Sequence, residues 1–239
     1  MKIKVWFLGL AFVCSFGQMA GAGLIQYVTP TGSTTSGGSV SGEADFTLGN
    51  GSLTLTLTNY TADPTADSQM INGITFNITG ASSEELNSSL GKTATITQGS
   101  AATNVSSSPV SLTHWTASET GTKISLSTLS GGKPDELIIG PGGNGGIYNN
   151  ANSSITGHGP SVLTTATFTF DITGITASST LSNVVLDFGT TSGSDTVALS
   201  RSSSSQPAAV PEPSSLALLG IGGLAMAIGA YRQGRKRAA

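Results

Sequence analysis

Residues 162–172 read VLTTATFTFDI. Ala166, Phe168, Phe170 and Ile172 fall on one parity, and Thr165, Thr167, Thr169 and Asp171 fall on the other. Successive side chains of an extended chain point to opposite faces, so this alternation describes a strand with one apolar and one wet face. A helix would scatter the same residues around its circumference. The threonines are β-branched, which suits a pleated, half-buried surface.

The same pattern recurs outward from this stretch. Residues 52–58 read SLTLTLT, with Leu53, Leu55 and Leu57 alternating with Thr54, Thr56 and Thr58. Asn50-Gly51, just before them, is the strongest short hairpin signal. In residues 71–79, Ile74, Phe76 and Ile78 alternate with Thr75, Asn77 and Thr79. Residues 122–129 alternate through Ile124 and Leu126. Shorter strand patterns occupy residues 24–28, 44–48, 93–97, 110–117, 136–140, 181–188 and 196–199. Residues 29–39 read as a loop. The single helical candidate is 82–90, where Ser82 is placed to cap the first turn and Glu85 to reach back to it. Regularly spaced strands with turn-rich connections predict an all-β domain over residues 23–200, an antiparallel β-sandwich of jelly-roll type.

The chain has 239 residues, and its net charge of −3 conceals an asymmetry. Six of the ten cations lie at the ends, whereas between them Lys92, Lys123, Lys133 and Arg201 face twelve acids, a net −8. A charge-poor, acidic surface repels phosphate backbones, so nucleic acid is excluded as a partner. The one cysteine, Cys14, lies in the leader, leaving the domain without disulfide or thiol chemistry.

The first 22 residues read as a signal peptide. Lys2 and Lys4 precede an apolar run over 5–16, and Ala20-Gly21-Ala22 gives signal peptidase its small-x-small site at Ala20 and Ala22. The apolar run falls short of the roughly 20 residues a bilayer span takes.

Few residues offer chemistry. Nucleophilic hydrolysis needs a histidine beside a nucleophile, and only His114 and His158 are available, with no G-x-S-x-G elbow. Glu84-Glu85 and Asp135-Glu136 are adjacent carboxylates, and adjacent residues seldom converge on one substrate. Asp63, Asp67 and Asp135 are loop acids of the kind that hold structural calcium, without an EF-hand pattern. The loop 141–146 is glycine-rich but lacks the lysine and following helix of a phosphate cradle. Thr54, Thr56 and Thr58 could form an ice- or glycan-facing strip, although ordinary β propensity explains one such row. Asn59, Asn77, Asn87, Asn104 and Asn152 lie in Asn-x-Ser/Thr sequons. The expectation is no catalytic site, no cofactor and no metal.

The other end is more legible. A Ser/Pro linker, 201–209, leads into Val210, Pro211, Glu212 and Pro213. Prolines on either side of Glu212 block a helix and hold the segment extended, as a strand lies in a protease cleft. An apolar stretch follows, read as a transmembrane helix over 214–231. Its core, 216–231, would extend about 24 Å as a helix, marginally short for a span. Gly220, Gly222, Gly223 and Gly229 weaken it further. The basic end, 232–239, carries Arg232, Arg235, Lys236 and Arg237 and belongs on the cytoplasmic side.

This tripartite order closely resembles the PEP-CTERM sorting tail over residues 210–237, and VPEPSSLALLG is near its consensus. The resemblance implies an exopolysaccharide-producing Gram-negative host. It also implies cleavage near the PEP motif by an exosortase, a membrane cysteine protease-transpeptidase. PDELIIGP (134–141), YNNANSSI (148–155) and TATFTF (165–170) resemble a cargo domain that recurs with such tails, and no activity attaches to it. The expected protein is therefore exported and non-enzymatic. It is held briefly in the inner membrane as a single pass, then delivered to the cell surface or extracellular matrix. Its expected partners are signal peptidase, the exosortase, the inner membrane and exopolysaccharide. The alternative is a carbohydrate-binding module using Trp115, Tyr60 or Tyr148. A hydrolase would require an open cleft with converging carboxylates or a Ser-His pair.

Overall fold

The computed structural model describes residues 23–129 and 134–202. β1 (Leu24–Val28) is followed by a small hairpin, β2 (Thr34–Thr35) and β3 (Gly38–Ser39), then by β4 (Gly42–Leu48) and β5 (Ser52–Asn59). β6 (Ile71–Ile78) and β7 (Ser83–Ala94) come next. β8 (Val110–Ser111), β9 (Thr116–Thr120), β10 (Lys123–Ser127) and β11 (Ile138–Ile139) precede β12 (Ser161–Thr173). β13 (Leu181–Phe188), β14 (Asp195–Ala198) and β15 (Ser200–Arg201) complete the set. Among the described residues helix is confined to single turns, including α1 (Ser153–Thr156), capped by the Asn152 side chain accepting from the Ser154 amide at 2.8 Å. The all-β expectation holds.

The strands form two antiparallel layers. In one, β6 pairs with β10 and β13, with β9 and β14 outside them. In the other, β12 pairs with β5 and β7, and the sheet continues through β4 and β1 to β15. The short β11 joins the layers at one end, antiparallel to β6 and parallel to β12. The alternation of 162–172 explains its central place. Phe168 stands opposite Leu55 on one side and Ser89 on the other, and Ala166 and Phe170 turn inward with it.

Side chains from the facing surfaces interdigitate. Phe46 on β4 meets Phe76 on β6 edge to face, with centroids 5.1 Å apart. The Tyr27 hydroxyl crosses from β1 to donate to the Leu181 carbonyl on β13 at 3.0 Å. Leu53, Leu55, Leu57, Ile74, Leu186 and Phe188 are buried in the same layer. Burying such side chains contributes roughly 1.5–3 kcal/mol each. A smaller cluster, including Met70, Leu137, Tyr148 and Ile155, lies under the loops near β11.

The strand pattern over 110–117 is split between β8 and β9, with 112–115 outside any strand, and two further expectations are corrected. Residues 82–90 are not helical: all but Ser82 belong to β7, whose Ser88 hydroxyl bonds to the Thr169 hydroxyl on β12 at 2.6 Å. The loop 29–39 contains the β2–β3 hairpin. The Asn50-Gly51 turn connects β4 and β5 as its sequence requires, with Gly51 at φ +76°.

Candidate functional site

The outer face of the β6 layer carries a polar trough with a volume of ≈340 Å³. Strand register builds it. Ser125, Thr75 and Val185 share one row across β10, β6 and β13. Ser127, Gly73 and Asp187 share the next, and Thr196 on β14 lies beyond Asp187. Lys123 occupies the row on the other side. Ser192 and Gly193, in the β13–β14 turn, form part of the rim. Gly73 is required here: a Cβ at that position would stand 2.7 Å from the Leu126 carbonyl oxygen and 3.3 Å from the Ser127 Cβ.

Asp187 sets the chemistry. Its carboxyl is half-buried, and burial pushes it above the usual carboxylate range while the Lys123 charge pulls it part of the way back. Among the described residues no hydrogen bond or salt bridge engages that carboxylate. None of these residues stood out in the sequence, because an isolated Asp in LSNVVLDF and an isolated Lys in TKISLS look like solvated strand positions.

The outer face of the other layer is different. Thr56 and Thr167 bond to each other at 3.3 Å, and Thr58 and Thr165 at 3.4 Å, so the threonine strip largely satisfies itself. Glu43, beside it, is held above the ordinary carboxyl range by burial and then by the neighbouring Asp45 charge. Asp45 keeps one buried oxygen, Oδ1, without a hydrogen-bond partner.

The residues singled out from sequence have mostly structural positions. Glu136 is buried, at φ +59°, and its carboxylate accepts the Thr113 amide at 3.1 Å and the His114 amide at 2.9 Å. The His114 Nδ1 lies 3.4 Å from Glu136 Oε1, with no serine nucleophile bonded to the ring. Trp115 packs at a tilt against Phe168, with ring centroids 4.8 Å apart, and donates its indole N–H to the Glu136 carbonyl. Tyr148 is also buried, donating to the Gly140 carbonyl. Neither ring can stack on a glycan, and of the three aromatics proposed for that task only Tyr60, 49% exposed, is available.

Two of the three loop acids are also engaged through their carboxylates, and Asp135 accepts the Thr128 hydroxyl through its backbone carbonyl. Asp63 accepts from the Asn150 amide and side chain at 3.1 and 2.8 Å. Asp67 accepts from the Ser68 amide and the Thr190 hydroxyl. Among the described residues no group of three or more His, Cys, Asp or Glu side chains converges as a metal site would require. Glu84 and Glu85 sit on successive positions of β7 and therefore on opposite faces. His158 donates its backbone amide to the Ile155 carbonyl at the end of α1. The loop 141–146 closes on itself through Gly143 and Ile147. Among the sequons, Asn59 is fully buried, donating to the Gln69 and Ile138 carbonyls at 2.9 Å, whereas Asn87, Asn104 and Asn152 are exposed.

Ala20, Ala22, Val210, Pro211, Glu212, Pro213, Arg232, Arg235, Lys236 and Arg237 lie outside the described residues, as does the expected helix over 214–231. No helix among the described residues is long and apolar enough to cross a membrane. Residues 209–236 match the PEP-CTERM protein-sorting motif. The motif implies export, membrane transit and processing by an exosortase. No curated protein and no solved structure matches the chain.

Proposed function

We propose that this chain is an exported, non-enzymatic protein of the cell surface or extracellular matrix. Signal peptidase removes residues 1–22. The segment 214–231 holds the precursor in the inner membrane as a single pass with Arg232, Arg235, Lys236 and Arg237 in the cytoplasm. An exosortase then cuts near Val210, Pro211, Glu212 and Pro213, releasing a jelly-roll-like sandwich from a Gram-negative, exopolysaccharide-producing cell.

The observation that carries the reading is the sorting motif over residues 209–236. Its order supports the rest: an extended proline-bracketed segment that a protease can bind, a short glycine-containing apolar run, then cations that resist translocation. The non-enzymatic part is supported by the folded domain. The Glu136 carboxylate accepts the Thr113 and His114 backbone amides, and Glu84 and Glu85 face apart.

Replacement of Val210, Pro211, Glu212 and Pro213 by alanines tests the proposal. The variant should accumulate in the inner-membrane fraction while the parent chain reaches the surface or medium. Equal release of both would overturn it.

A further inference from the structure

We infer that the trough between β10, β6 and β13 is a binding site for a sugar residue of a neutral glycan, with Asp187 as its principal hydrogen-bond acceptor. The assignment concerns the folded domain alone and stands whether or not the tail is cut.

The argument begins with Asp187. A carboxylate withdrawn from water is costly unless donors replace the lost hydration. The Glu136 carboxylate receives such donors from the Thr113 and His114 amides. Asp187 receives none from the described residues, and its environment still opposes its charge. The fold thus leaves a partly buried carboxylate, without a donor from the described residues, facing an open space that a ligand's hydroxyls can enter.

The surroundings select the ligand. Thr75, Ser125, Ser127 and Thr196 supply hydroxyls, each able to donate and accept. Lys123 adds a donor on the far side. An anion entering the trough meets Asp187, and a cation meets Lys123, so either ionic class carries a repulsive contact. A neutral polyol pays neither penalty: its hydroxyls donate to Asp187, and its oxygens accept from Lys123 and the hydroxyl side chains. Val185 gives the floor an apolar patch for the C–H face of a ring. The ≈340 Å³ volume lies within the range of about 300–1,000 Å³ typical of small-ligand sites.

The test uses the full chain purified in detergent and affinity electrophoresis through gels containing dextran, mannan, xylan or the polyuronate alginate. At least one neutral polymer should retard the parent chain. Asp187→Asn should weaken that retardation at least tenfold, with an unchanged or higher Tm. Ser125→Gln, which fills the trough from β10 without touching Asp187, should weaken it as well. Tyr60→Ala, on the opposite layer, should leave it unchanged. Four results would overturn the proposal: no retardation by any neutral polymer, retardation insensitive to Asp187→Asn, loss with Tyr60→Ala instead, or retention of alginate alone with dependence on Lys123.

Discussion

Trp115 illustrates how a residue's role depends on partners that are distant in sequence. Its ring lies against Phe168 on β12, and its N–H binds the Glu136 carbonyl. Trp115→Ala should therefore destabilise the domain by about 3–5 kcal/mol, the range for large core aromatics, as read from urea unfolding. Binding by an exposed indole would instead leave stability nearly unchanged. The sequence shows an aromatic beside a histidine and gives no sign that the Glu136 segment closes over it. Asp187 is the converse case. Thr75, Lys123, Ser127 and Asp187 come together only through strand register, across more than a hundred residues of chain, so their neighbours in sequence reveal nothing. Burial raises the Asp187 pKa in the folded state, so the fold opposes its ionisation. Stability is then lost as pH rises from the unfolded value, about 3.9, toward the higher folded one. Asp187→Asn removes that loss. Its Tm should match the parent's at about pH 3, where both states hold the proton, and exceed it at pH 7. Thermal scans at the two pH values check this, and a lower Tm at pH 7 would contradict it.

The strands were legible to the extent that their apolar alternation was strict. β1 and β13 have the limits that their patterns predict, β5 and β12 extend theirs by one residue at one or both ends, and β6 stops one residue short of its pattern. β7 was not legible, for a physical reason. Ser82, Glu85, Leu86 and Leu90 sit at helical spacings, and a short isolated segment has only local signals to offer. A two-turn helix is marginal by itself. As a strand the same residues pair with Thr167 to Thr173, completing the ladder of the most central strand over its second half. That tertiary gain outweighs the local preference, and the register shift near Asn87 accommodates the mismatch. The importance of β12 can be measured. Thr167 lies between Thr56 and Leu90, paired on both sides. Thr167→Pro should cost about 3 kcal/mol or more, because proline is not tolerated in a central strand. Val110→Pro, on the two-residue outer strand β8, should cost under about 1 kcal/mol, since edge strands tolerate proline. Circular dichroism melts of the two variants separate these outcomes, and equal losses would contradict the central role of β12.

At the scale of the whole molecule, the fold and the tail are joined closely. The described chain ends on β15 and Ser202, whose amide donates to the Gln26 carbonyl on β1 at 2.9 Å. From Ser202 to Val210 the backbone can reach at most about 29 Å, at up to 3.6 Å per residue. The β1–β15 edge is therefore tethered within that distance of the cleavage motif. Deleting residues 203–208 should bring the domain against the processing site and slow cleavage, as measured by the precursor-to-mature ratio in pulse-chase labelling. An unchanged ratio would show that the linker length is immaterial. This architecture explains why so little catalytic chemistry was visible. The chemistry most legible in the sequence is that of the sorting motif at residues 209–236.

The most direct measurement of the sorting account is the intact mass of the protein recovered from an exosortase-competent host and from the same host lacking the enzyme. The account predicts that residues 1–22 are missing in both, and that the chain beyond the Val210-Pro211-Glu212-Pro213 region is missing only in the competent host. A full-length C-terminus in the competent host would contradict it.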